Sequence, residues 1–318
     1  MRKLIYTLAG LTAFAMLASC SKVVDSTVSS GGKVQATFNV SLPDGVTTKA
    51  ISDGLAATEL LFMAYDKNNN HLDLDQMVAV SGLTATVSVD LVKGVQYHFV
   101  FWAQTPGQYT SKLSSDKKTL IISPAEMMNS DAWDAFYWHE PLAEVTGAFT
   151  KEVTLKRPFA QINVGAPVIL DDEDNRIGGD FYAASKSGLK IDATLTTAYT
   201  LKAYTTLNLL DGTVSNMDDT AIAMTAVSHP DEFLTVSETR YDYAAMAYVL
   251  APVDEGTTVN LELQLNTTQS DTAVNLTRTV ANVPIRRNYR TNILGRVFTV
   301  EGNFNITVDE DFLGDQSN

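Results

Sequence analysis

The sequence predicts an all-β fold, two antiparallel β-sandwich domains in tandem. Three observations carry the prediction: apolar residues alternate with period two over many short segments, turn residues separate those segments at regular intervals, and helical spacing is nearly absent. With 318 residues and 45% hydrophobic content, the chain can bury more than one core, which favours two domains.

The chain opens with Arg2 and Lys3, runs apolar from Leu4 to Leu17 and reaches Leu17-Ala18-Ser19-Cys20, the three parts of an export signal. The apolar stretch is shorter than the about 20 residues a spanning helix needs. Cys20, the only cysteine, stands at a lipobox position, and one thiol cannot build a disulfide framework. Acylation there would tether the mature chain to a membrane, because several acyl chains hold far better than one. Residues 1–20 are therefore read as a lipoprotein signal peptide with its lipobox. Residues 21–32, small, polar and ending in glycines, are read as a flexible tether.

The N-terminal sandwich is expected over residues 33–158. Its first strand is VQATFNVSL, with Ala36, Phe38, Val40 and Leu42 on one side and Gln35, Thr37, Asn39 and Ser41 on the other. LLFMAYDKNNNHLDL reads as strand, Asp-Lys-Asn-Asn-Asn turn, strand, since Asn tolerates left-handed backbone angles and Asp closes turns through its side chain. LTATVSVDL and YHFVFWAQ follow, the second so continuously apolar that it reads as a central strand buried on both faces. Residues 123–139 are the best helical candidate: Ser123 as N-cap, Pro124 in the first position and Glu126 in the third suit one or two turns. Pro158 marks the break before the C-terminal sandwich, residues 159–318. There Asp211-Gly212 is a turn, DYAAMAYVLAP a buried strand, and VNLELQLN with AVNLTRTV a hairpin linked by TTQSD. The tail supplies at least two more strands, the last alternating Phe304, Ile306 and Val308 with Asn305 and Thr307.

Charge and motifs narrow the chemistry. The formal charge is −14, and loss of residues 1–19, which carry two basic residues and no acidic one, takes it to −16. Such a balance argues against nucleic acid or an anionic membrane surface as partner. His71, His98, His139 and His229 lack metal-ligand spacing, and His98 reads as a packed strand residue. The acidic run at 171–175 fails the calcium-loop pattern because Arg176 falls where a ligand belongs, so it reads as a solvated loop. No nucleophile elbow or phosphate loop is present, which leaves no support for an enzyme or a cofactor. Trp133, Tyr137 and Trp138 could stack a glycan; the alternative is that they pin their loop onto the sandwich.

The lipobox at Cys20, the Thr-Lys-Ala step at 48–50, the segment FYWHEPLAEVTGAFTKEVTLKRPFAQINVG and the tail VPIRRNYRTNILGRVFTVEGNFNITVDEDF together resemble the fimbrillin family of anaerobic Gram-negative bacteria. The resemblance implies transthyretin-like, Greek-key sandwiches on an outer-membrane lipoprotein that serves adhesion, alone or within extracellular fimbriae. It also implies partners: other pilus subunits joined by β-strand addition, a lipid anchor, and a host or bacterial surface ligand. In that family a trypsin-like protease removes the first strand with its lipid, and a donor strand from another subunit fills the vacated groove. Carried to this chain, the cut falls at Lys49-Ala50, the displaced strand is Ala36, Phe38, Val40 and Leu42, and the donor is Phe304, Ile306 and Val308. Lysine replaces the family's frequent arginine here, and no arginine occurs between the signal and Arg157. If Lys49 is not cut, the resemblance implies an anchored accessory subunit. The rival expectation is a non-polymerising outer-membrane lipoprotein that binds glycans.

Overall fold

The computed structural model describes residues 32–43, 53–123, 130–217, 221–228, 232–299 and 304–309. Cys20, Lys49, Ala50, His229 and the 124–129 part of the helical candidate lie outside the described residues.

The first half holds β1 (Lys33–Ser41), β2 (Glu59–Asp66), β3 (Gln76–Ala79), β4 (Thr84–Val92) and β5 (Gln96–Gln104). β6 (Thr119–Ile121), β7 (Phe136–Glu144) and β8 (Phe149–Thr154) complete it. The second half opens with β9 (Phe159–Leu170), β10 (Arg176–Gly179) and the helix α1 (Asp180–Lys186). β11 (Thr196–Leu201), β12 (Tyr204–Asn208), β13 (Val214–Met217), β14 (Ile222–Ala223), β15 (Val227–Ser228) and β16 (Phe233–Val236) follow. β17 (Thr239–Leu250), β18 (Thr258–Gln269), β19 (Thr272–Pro284), β20 (Arg290–Leu294) and β21 (Asn305–Asp309) end it. The result is an all-β, multi-domain sandwich.

In the first half a three-stranded sheet, β4-β1-β8, faces a four-stranded sheet, β3-β2-β5-β7. Their shared core gathers Phe38, Phe62, Phe99, Phe101, Phe136 and Leu155. In the second half a nine-stranded sheet centred on β12-β17-β9-β20 lies with a five-stranded sheet, β14-β11-β18-β19, around a larger core. The four-stranded sheet serves both cores. Leu60, Phe62, Phe99 and Phe101 point into the first, while Leu61, Met63, Val100 and Trp102 point into the second. This double burial accounts for the unbroken apolar runs of β2 and β5, since neither face meets water.

The two halves repeat one arrangement. β1 pairs antiparallel with β4 and parallel with β8. β9, the first strand of the second half, pairs antiparallel with β17 and parallel with β20. The second half then adds β21 outside β20, whereas β8 is an edge among the described residues.

Turn chemistry is also repeated. Asp66 Oδ1 accepts hydrogen bonds from the backbone N–H of Asn68 and Asn70, both at 2.8 Å, and Asn69 takes φ 63°. Asp171 does the same for Glu173 (3.0 Å) and Asn175 (2.8 Å), with Asp174 at φ 62°. The acidic run is thus the turn of the β9–β10 hairpin, its Asp171 carboxylate spent on its own loop and its Asp174 paired with Arg240 at 2.6 Å.

Two local expectations need correction, and one helix is additional. Residues 136–139 are strand, not helix: β7 pairs with β5 across the sheet, and of the candidate's described residues Asp131–Trp133 make a single 3-10 turn. The β18–β19 link is a two-residue turn, Ser270-Asp271, with Thr267 to Gln269 still in the ladder. The short helix α1, which has no periodic signal, is held by Asp180, whose carboxylate accepts the backbone N–H of Val297 (2.7 Å) and Phe298 (2.8 Å).

Candidate functional site: the groove of the first strand

β1 lies in the middle of its sheet. Alternation puts Ala36, Phe38, Val40 and Leu42 inward, at 0%, 0%, 1% and 3% exposure. Phe38 is the centre of an aromatic cluster, with ring centroids 5.0 Å from Phe99, 5.2 Å from Phe101, 5.6 Å from Phe149 and 5.8 Å from Phe62. Outward, Asn39 donates to Glu152 at 2.7 Å, and Ser41 and Thr154 hydroxyls meet at 3.3 Å. Burying Phe38, Val40 and Leu42 contributes roughly 1.5–3 kcal/mol each. Their sum approaches the about 5–15 kcal/mol that stabilises a whole domain. An empty groove would expose this apolar floor and two unpaired ladders, so the strand cannot leave unless another takes its place.

β21 is the opposite case. Among the described residues it pairs only with β20, in the register Ile306 to Ile293 and Val308 to Thr291. Phe304 and Ile306 are half-buried against the second core, and Val308 is exposed. The candidate donor residues therefore form the last strand of their own sheet.

The proposed glycan platform is not open to solvent. Trp133 is buried, edge-on to Tyr109 at 5.5 Å, and Tyr137 is buried with its hydroxyl donating to the carbonyl of Leu209 at 2.7 Å. Only Trp138 is partly exposed. The aromatic residues instead join the halves, because β7 presents Phe136 to the first core and Tyr137 to the second.

Arg157 completes the join. Fully buried, it grips Asp134 through Nε at 2.7 Å and Nη2 at 2.8 Å, and it lies 4.4 Å over the ring of Phe136. Burial drags its proton affinity down, and the Asp134 carboxylate more than restores it. The stretch from Leu155 to Ala160 thus passes the chain from one core to the other: Leu155 belongs to the first, Phe159 and Ala160 to the second. Residues 157–163 run beside 288–292. Asn288 Oδ1 accepts from the Arg157 N–H at 3.0 Å, and Asn163 Nδ2 donates to Asn292 Oδ1 at 2.9 Å.

Among the described residues no group of three or more His, Cys, Asp or Glu side chains could hold a metal ion. His71 pairs with Asp75 at 2.8 Å. His98 and His139 are both held below the usual histidine value, by burial first. No described helix is long and apolar enough to cross a membrane.

Fold and groove together define the class, an all-β, multi-domain sandwich protein whose first strand fills a groove between two neighbours. The chain belongs to the family of unknown function DUF6562, which it matches over residues 27–318. No curated protein matches it. Among solved structures it is similar to a candidate cell adhesion protein from Parabacteroides distasonis, at 13% identity and TM-score 0.49, over 87% of this chain and 96% of that one. It is also similar to the tip fimbrial protein Mfa3 from Porphyromonas gingivalis, at 13% and 0.48, over 87% and 99%. The fimbrial anchor protein Mfa2 from the same organism matches at 12% and 0.42, over 87% and 98%.

Proposed function

We propose that this protein is a fimbrillin-like surface lipoprotein, acylated at Cys20 and displayed at the outer membrane, that assembles with other subunits by strand exchange and serves adhesion. Its two sandwiches, residues 33–158 and 159–318, are read as transthyretin-like and Greek-key, and its role as structural rather than catalytic. The observation that carries the reading is the setting of β1: an alternating strand near the N-terminus, flanked on both sides, over an apolar groove. A cut at Lys49-Ala50 would free β1 from the rest of the chain and leave a groove fitted to an alternating strand. Phe304, Ile306 and Val308 have that period, and an edge strand with one neighbour is the easier one to donate.

The test is the intact mass of the protein recovered from the cell surface, followed by sizing. A mature start at Ala50, with multimers that withstand dilution, is the expected result for a polymerising subunit. A sole start at acylated Cys20 would overturn strand removal and leave an anchored accessory subunit.

A further inference from the structure

A second concavity lies where the two halves meet, a cleft of about 390 Å³. Its walls are Trp138 from β7, Lys156 from the connecting stretch, Val253 beyond β17, and Arg287, Asn288 and Tyr289 between β19 and β20. Three features set it apart.

The first is Arg287. Its Nε donates to the carbonyl of Ala251 at 3.2 Å and its Nη2 to the carbonyl of Gly212 at 2.5 Å, so it is anchored by backbone alone. Among the described residues no carboxylate lies within ion-pair distance, and none takes a hydrogen bond from Nη1. Gly212 makes the room: a Cβ there would stand 2.9 Å from Nη1, at a φ of +75° that already favours glycine. Burial pushes the guanidinium's proton affinity down, and the nearby Tyr137 and Asp211 only partly offset it.

The second is Asn288, 3% exposed. Its Oδ1 is fixed by the Arg157 N–H, which settles the orientation of the amide, and its Nδ2 has no partner among the described residues. A buried donor without an acceptor costs about 1–3 kcal/mol.

The third is charge. In a chain of −14, this cleft collects Lys156, Arg286 and Arg287. Arg286 is paired with Glu255 at 2.6 Å. The lone lining acid, Asp211, is occupied by Asn208 Nδ2 at 3.0 Å and by the N–H and hydroxyl of Thr213 at 2.8 and 2.7 Å. Arg287 and Asn288 thus line the same cleft as Trp138 and Val253, the last 62% exposed.

We propose that this cleft binds a carboxylate borne on a single ring, the carboxylate taken by Arg287 Nη1 and Asn288 Nδ2 and the ring laid against Trp138 and Val253. The shared chemistry fits an acidic sugar residue or an aromatic acid. This inference is independent of strand exchange: it needs neither cleavage at Lys49 nor a second subunit.

Calorimetric titration of the full chain with glucuronate, benzoate, glucose and benzyl alcohol tests it. Saturable binding of glucuronate without glucose identifies a sugar acid, and of benzoate without benzyl alcohol an aromatic acid; either supports the site. Arg287→Gln should weaken binding about tenfold or more. Because Arg287 also braces two carbonyls, Val253→Glu provides a variant at an exposed position, and its rim carboxylate should weaken the anion about threefold, less at high salt. Absence of binding by both acids, equal binding of the neutral analogues, or unchanged affinity in both variants would overturn the proposal.

Discussion

β1 and β9 occupy equivalent places in their halves, each between an antiparallel and a parallel neighbour, yet their surroundings differ. β1 is apolar on one face only. Its other face is a row of half-exposed hydroxyl and amide groups, and Leu42 and Pro43 lead away into the stretch that carries Lys49. β9 is buried on both faces from Phe159 to Ala166, and its polar residues are locked inside: Asn163 receives the Tyr243 hydroxyl at 2.5 Å and donates to Asn292. The lesson is that position in a sheet does not make a strand exchangeable. The proposed exchange rests on the solvated outer face of β1, since a strand with such a face could be replaced without stranding buried polar groups.

The sharpest way to break the contrast is at the two strand centres. Phe38→Ala should cost about 3–5 kcal/mol by urea denaturation, because four aromatic rings close on that position and cannot collapse into the space. A loss below about 1 kcal/mol would mean that the groove tolerates a void and that β1 is not its keystone. Asn163→Ala comes next, at about 2–3 kcal/mol, since it leaves both the Tyr243 hydroxyl and the Asn292 amide buried without their partner. Amide exchange should show this loss spread over β9, β17 and β20.

At the far edge the effects shrink. Ile306→Ala should cost about 1–2 kcal/mol as a half-buried residue, and Val308→Ala less than about 0.5 kcal/mol. Equal losses at the two positions would argue that β21 is covered by something more than β20.

The smallest effect is titration at the join. Burial keeps the folded-state value of His139 below the usual 6.5, so the folded chain binds fewer protons than the unfolded one. The stability from keeping it neutral is complete above that value and is lost as pH falls below it. His139→Gln should flatten the slope of the urea midpoint between about pH 7 and 5. An unchanged slope would transfer the effect to His98, whose shift has the same sign.

Much of the fold was legible because it is written in short-range chemistry. The alternation of VQATFNVSL fixes which side chains of β1 share a face, and Asp66 with its three asparagines closes its turn without outside help. α1 was not legible: seven residues give no period, and the bonds that hold Asp180 come from residues 117 to 119 positions away. Nor was the fate of Trp133 and Tyr137, for an aromatic cluster looks the same in sequence whether it faces solvent or a second core.

By itself the sequence determined an all-β chain, its strand faces and its local turns, because period-two patterning and side-chain-to-backbone hydrogen bonds act over a few residues. The tertiary structure alone decided what covers each face. It buried β2 and β5 between two cores, carried β6 across to pair with β12, locked Arg157 onto Asp134, and left Arg287 and Asn288 with donors to spare at the join. The physical reason is that alternation says which side chains point together, while only long-range pairing says what they meet.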